Sequence, residues 1–125
     1  MVMSLNKKAN DYVSTARLRY AKIGPRRVRA IADLIRNKPV LDAQSTLMLM
    51  PNRGAGVLLK VLRSAVANAK QSNPNISEAT LWLQTVTVDQ GPPFMRKWRP
   101  RAHGRATPIK RLSSHVEIGL VLADQ

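Results

Sequence analysis

The sequence lacks cysteine altogether, and in 125 positions it has two tryptophans, two tyrosines, one phenylalanine and only seven acids. Each shortage removes a class of protein. Without cysteine there are no disulfide staples and no thiolate metal sites, which fits a reducing compartment. No stretch reaches the roughly 18 apolar residues of a membrane span. The opening MVMSLNKKANDYVSTA carries no apolar core of signal-peptide length. These absences point to a protein of the cytosol or of an organelle interior. His103 and His115 are the only histidines, and neither has a carboxylate or thiol at ligand spacing. Ser113 and Ser114 beside His115 lack the strand-to-helix elbow that exposes a nucleophile. There is no glycine-rich phosphate loop and no pair of carboxylates. The residues therefore point to no enzyme, no metal and no cofactor.

The scarcity of acids has the largest consequence. Lys and Arg number 21, giving a formal charge of +14, so the unpartnered chain works against its own repulsion. The imbalance is also local. Between Gln90 and Val116 there is no acidic side chain, while Arg96, Lys97, Arg99, Arg101, Arg105, Lys110 and Arg111 are interrupted by four prolines and two glycines. With few aliphatic residues, that segment cannot bury enough apolar surface to offset the entropy of ordering it. It needs a polyanion.

Around it the chain reads as one small domain. Residues 1–14 are polar and irregular, an expected flexible arm, and residues 15–125 form the expected single domain. Thr15 to Tyr20 alternates, with Ala16, Leu18 and Tyr20 on a packing side and Arg17 and Arg19 on a cationic one. Gly24-Pro25 opens a helix, since proline at the first helical position loses no needed N–H. Val28, Ile31, Ala32 and Ile35 form its inward stripe, and it stops near Asn37, ahead of Pro39. A second helix is expected from Val40 to Met50, with Leu41, Leu47 and Met48 as contacts and Met48 and Met50 as core filler. The third, from Arg53 to Gln71, carries the continuous stripe Leu58, Val61, Leu62, Ala65, Val66 and Ala69, with Arg53, Lys60, Arg63 and Lys70 on another face.

Leu81 to Asp89 is rich in β-branched residues and reads as a strand whose buried face stays open, because apolar residues occur at both parities. Val116, Ile118, Leu120 and Leu122 alternate as a second strand. These two would pair through the basic segment as a long extended β-hairpin at about 90–112, with Thr15 to Tyr20 as a third strand. Prolines 92, 93, 100 and 108 argue for an irregular, stiff tip, since each removes a ladder donor. The expected fold is therefore α+β, three helices packed on a small three-stranded antiparallel sheet.

Two basic clusters suit RNA. Arg26, Arg27 and Arg29 occupy the first helical turns, where the macrodipole disfavours cations, so a phosphate at the helix N-terminus would offset the penalty. The competing structural role is a pair between Arg29 and Asp33. At the hairpin tip, Phe94 and Trp98 are interleaved with Arg96, Lys97 and Arg99, and rings among cations suit unstacked bases and phosphates. The competing role for Trp98 is packing on the opposite strand. A DNA-binding regulator using Pro25 to Met50 as a helix-turn-helix is the main alternative. Its second helix offers Asp42, Gln44, Ser45 and Thr46 but no Arg or Lys. A membrane-surface protein would need a basic helix with bulky apolar anchors, which the third helix only weakly offers.

The RPRAHGRA core within Arg96 to Leu120, with a histidine ten positions after Arg105 and alternating aliphatics beyond, closely resembles the large-subunit ribosomal protein family numbered twenty-two. GPRRVRAIADLIRNKPV resembles that family's first helix, VLRSAVANAK its third, and VTVDQGP the strand entering its hairpin. The resemblance spans residues 16–122. It implies a body on the outer surface of the large subunit and a hairpin threaded through ribosomal RNA, supporting RNA folding and assembly. It also implies tunnel-lining residues carried over by position: Met95, Arg96, Lys97, Trp98, Arg99, Pro100 and Arg101. Candidate RNA-binding residues are Arg17, Arg19, Lys22, Arg26, Arg27, Arg29, Arg96, Lys97, Trp98, Arg99, Arg101, His103, Arg105, Lys110 and Arg111. Implied partners are large-subunit rRNA, neighbouring large-subunit proteins and the nascent polypeptide. The chain departs from the family pattern in the tip, where Gly91 to Pro100 is one residue longer and Gly104 to Lys110 one shorter, so the tip register stays open.

Overall fold

Two helical stripes and two alternating strand faces must all be covered, and a helix-on-sheet layer covers them together. The computed structural model describes residues 12–123. In chain order these form β1 (Ser14–Ala21), α1 (Pro25–Ile35), α2 (Val40–Leu49), α3 (Arg53–Ser72), a single 3-10 turn at Glu78–Thr80, β2 (Leu81–Pro100), a second 3-10 turn at Ala102–Gly104, and β3 (Ala106–Leu122). The sheet order is β1-β3-β2 with both pairings antiparallel, so the fold is the expected α+β arrangement with a long hairpin.

The core contains the stripes named from periodicity. Val28, Ala32 and Ile35 of α1, and Leu58, Leu62, Ala65 and Ala69 of α3, are fully buried against Leu81, Leu83, Ile118 and Leu120 of the sheet. Gly54 on α3 allows close helix packing, since an added Cβ would lie 3.0 Å from Ile31 Cδ1 of α1. Ser14 Oγ donates to Ala65 O at 2.8 Å, tying β1 to α3.

Helix α2 differs from expectation. Val40, Ala43 and Leu47 are its buried residues, whereas Leu41 and Met48 lie on the solvent side and Met50 is only partly covered. With so weak an apolar period, Val40 and Ala43 at i and i+3 win the inward face, and Leu41 and Met48, seven apart, share the outward one.

Bulges explain the strand discrepancies. The ladder of β2 slips between Leu83 and Thr85, so the buried residues change from Leu81 and Leu83 to Val86 and Val88. One inserted residue reverses the parity of everything after it, which is why apolar residues fall at both parities. In β1 the register slips between Leu18 and Ala21, and Tyr20 adopts φ 59°. Ala21 therefore turns inward in place of Tyr20, which is exposed together with Leu18. At the far end Val121 is buried and Leu122 is not.

The expected loose arm covers residues 1–14. Residues 1–11 lie outside the described residues, while Tyr12 and Val13 are docked: Val13 N donates to Leu120 O at 2.9 Å, and the Tyr12 hydroxyl lies 2.5 Å from Thr85 Oγ1. The Tyr12 ring covers Gly119, where an added Cβ would lie 2.8 Å from Tyr12 Cε1.

Because the core draws on no residue between Phe94 and Leu112, deleting residues 95–105 should leave the body intact, with residues 106–111 as a closing loop. Chemical denaturation should stay cooperative, with its midpoint nearly unchanged. Loss of cooperativity would show that the hairpin supports the core.

Candidate nucleic-acid interface

From Leu81 to Pro100, β2 runs two and a half times the length of β1, and β3 follows it from Ala106. Strand β1 pairs with β3 only as far as Ala21↔Ser114, so beyond that point β2 and β3 continue as a two-stranded ribbon. Beyond it β2 contributes ten residues and β3 eight, which at about 3.3 Å each extend the ribbon roughly 30 Å from the sheet. Arg96, Lys97, Arg99, Arg101, Arg105, Lys110 and Arg111 are all exposed along it.

The tip is more regular than its prolines suggest. Register is unbroken from Met95↔Arg111 through Trp98↔Pro108 to Pro100↔Ala106, and the irregularity is confined to Gln90–Met95. Proline is excluded from central strands because both edges there are paired. A two-stranded ribbon leaves one edge of each strand open, where a missing N–H costs nothing. The turn is closed by Arg101 N donating to Arg105 O at 2.7 Å. His103 and Gly104 both take left-handed backbone, φ 59° and 67°. His103 thus serves first as a turn residue, one that lacks glycine's freedom at positive φ.

Trp98 does not pack away: it is 68% exposed, with Phe94, Met95 and Ile109 also open to solvent. The candidates on the body behave unequally. Arg19, Lys22, Arg26 and Arg27 are exposed, with α1 offering no acid in its first turn and no side-chain cap. Arg17 is exposed but bound to its register partner Glu117 at 2.8 Å.

Arg29 has a structural role. Its Nε donates to Val88 O at 2.9 Å, and its expected partner Asp33 instead binds Arg36 at 2.5 Å. Arg36 Nη2 donates to Val86 O at 2.8 Å, and Asn37 N donates to Leu83 O at 3.0 Å. Three groups at the end and flank of α1 thereby satisfy the outer-edge carbonyls of β2, the edge that no strand covers. Neither Arg36 nor this task was recognised from the sequence. A cation three residues after Asp33 reads locally as a helix-surface pair.

His115 is also structural. Its Nδ1 accepts the Tyr20 N–H at 3.0 Å, and the two rings meet edge to face with centroids 4.9 Å apart. This pair lines a groove of about 240 Å³ whose charges are of both signs, Arg17 and Arg19 facing Asp89 and Glu117. Among the described residues no three His, Asp or Glu side chains gather at metal-binding spacing, and no helix is long and apolar enough to cross a membrane.

What is assembled is a cationic, acid-free ribbon on a rigid root. A family model described as ribosomal protein L22p/L17e matches residues 16–121, from the first buried apolar residue of β1 to the last of β3. The chain belongs to this L22 family. It is 42% identical over 120 residues to the large ribosomal subunit protein uL22 of Caldicellulosiruptor saccharolyticus, covering 96% of this chain and 97% of the relative. Similarity to uL22 of Desulfosudis oleivorans is 46% over 111 residues, covering 89% and 93%. For uL22 of Myxococcus xanthus it is 43% over 111 residues, covering 88% and 96%. L22 proteins are structural constituents of the large ribosomal subunit and not enzymes, and these bacterial relatives belong to cytoplasmic ribosomes.

The two kinds of arginine in this L22 chain are separable by stability. Arg29→Ala and Arg36→Ala should each cost about 1 kcal/mol in urea unfolding, because an edge carbonyl loses a charged donor in a partly exposed setting. Arg26→Ala and Arg27→Ala should stay within about 0.5 kcal/mol of the parent. Equal effects for all four would remove the edge-capping role.

Proposed function

We propose that this chain binds large-subunit rRNA, supports the folding and assembly of that RNA, and lines the peptide exit tunnel with the tip of its hairpin. The observation that carries this is the ribbon itself. It projects about 30 Å, carries seven exposed cations and no acid, and has no core of its own. An isolated two-stranded hairpin is marginal in water, so the packing that the polypeptide does not supply must come from its surroundings. Folded RNA supplies both phosphates and base surfaces.

The tip residues Met95, Arg96, Lys97, Trp98, Arg99, Pro100 and Arg101 are proposed to reach the tunnel and its nascent chain. The root and body contact rRNA through Arg19, Lys22, Arg26 and Arg27, with Lys110 and Arg111 along the return strand, and the body meets neighbouring large-subunit proteins. A DNA-reading role for α1 and α2 is disfavoured by the outward face of α2, which presents Leu41, Met48 and Leu49 and no cation.

Replacing Arg96, Lys97, Arg99, Arg101 and Arg105 together with alanine should weaken binding to a large-subunit rRNA transcript. The slope of log K against log salt should shrink by about 3 to 4, since each lost contact to single-stranded RNA removes about 0.7 of released counterion. An unchanged slope would mean that the hairpin makes no phosphate contacts.

A further inference from the structure

The register divides the ribbon into two unlike faces, because residues directly opposite one another in an antiparallel pair project to the same side. One face holds Met95 and Arg111, Lys97 and Ile109, then Arg99 and Thr107. Arg101 leans toward it, its Nε donating to Thr107 Oγ1 at 3.2 Å. The other face holds Arg96 and Lys110, then Trp98 and Pro108, then Pro100 and Ala106. Cations run the length of the first. On the second they stop at a single pair, and beyond it lies an uncharged platform built from an indole, two prolines and an alanine.

We infer that this second face is a binding site for one unpaired RNA nucleotide, with the base stacked on Trp98 and the adjoining phosphate held between Arg96 and Lys110. This rests on the RNA-binding role proposed above and assigns that role a specific ligand group. Neighbouring same-face pairs are two residues apart, about 6.7 Å along the strand, a distance on the scale of one nucleotide. The flat indole is 68% exposed, and with Pro108 as its register partner no second aromatic ring competes for its face. An aromatic platform bounded by two cations matches a base attached to its own phosphate. A passing apolar peptide would find the platform but no use for the Arg96 and Lys110 pair.

The test compares single-stranded polyadenylate with a fully paired RNA duplex of equal length, at matched salt, following both bound fraction and tryptophan emission. Trp82, at the root of the sheet, gives a constant background that the Trp98→Phe variant isolates. Single strand should quench Trp98 emission, while duplex should bind through the cations without quenching. Trp98→Ala should weaken single-strand binding about tenfold, Trp98→Phe less, and neither should alter duplex binding. Binding of both RNAs with unchanged Trp98 emission would overturn the nucleotide site and leave the RNA role standing. Failure of both RNAs to bind would overturn both. A blue-shifted emission with an extended apolar peptide, and none with polyadenylate, would reassign the platform to polypeptide and overturn the site.

Discussion

Strand β3 lies in two environments at once, and the function depends on that continuity. From Ser114 to Leu120 it is the central strand, paired on both sides, with Val116, Ile118 and Leu120 buried beneath the helices. From Ala106 to Leu112 it has one partner and no helix over it. Hydrophobic burial fixes the first half, and the unbroken backbone carries that placement outward into a segment with no burial of its own. The body acts as an anchor block whose buried core lies wholly outside the finger it carries.

The two halves treat their strand edges in opposite ways. In the body, the outer carbonyls of β2 are closed by Arg29, Arg36 and Asn37, and an open edge there would invite pairing with other chains. In the ribbon the edges stay open, but Pro93, Pro100 and Pro108 remove donors, and seven like charges repel any second copy. That is the surface of a segment guarded against strand-to-strand pairing. Half of the net charge that makes the free chain costly to fold, +7 of +14, is thus gathered on the ribbon.

Helices α1 and α3 were legible because a stripe at period 3.6 and a proline at the first helical position are local signals. The pairing of β2 with β3 was legible from alternation and from the acid-free segment between them, while the place of β1 beside β3 was not. What escaped was the single inserted residue. Nothing in RLRYAK marks that Tyr20 takes left-handed backbone and that Ala21 follows it inward, since the bulge answers to the Tyr20 N–H and His115, 95 positions apart. The proline rule failed for a related reason, being a statement about paired edges that the tip does not have. Arg29 has an edge-capping contact that the sequence did not signal, because a basic cluster at a helix start looks the same whether it meets phosphate or a strand carbonyl. In the candidate site, the cationic, acid-free composition was readable and the division of the ribbon into faces was not, because sidedness requires the register of both strands.

The direction of the finger is set where the third strand ends. On one side of β3, Tyr20 N–H is fastened to His115 Nδ1 at 3.0 Å. On the other, Ser113 Oγ donates to Pro92 O at 2.6 Å across the bulge, and Gly91 lies so close to Ser113 that any side chain there would collide with its hydroxyl and meet the His115 ring at 3.1 Å. Bulges re-aim a strand by raising its local twist, and here two of them clasp alternate residues of the same strand, Ser113 and His115, from both flanks. The root can bend only if Ser113, His115 and Gly91 all shift together inside a packed layer. The polypeptide therefore fixes where the ribbon points and which face it turns each way, so a partner need only close around a finger already aimed.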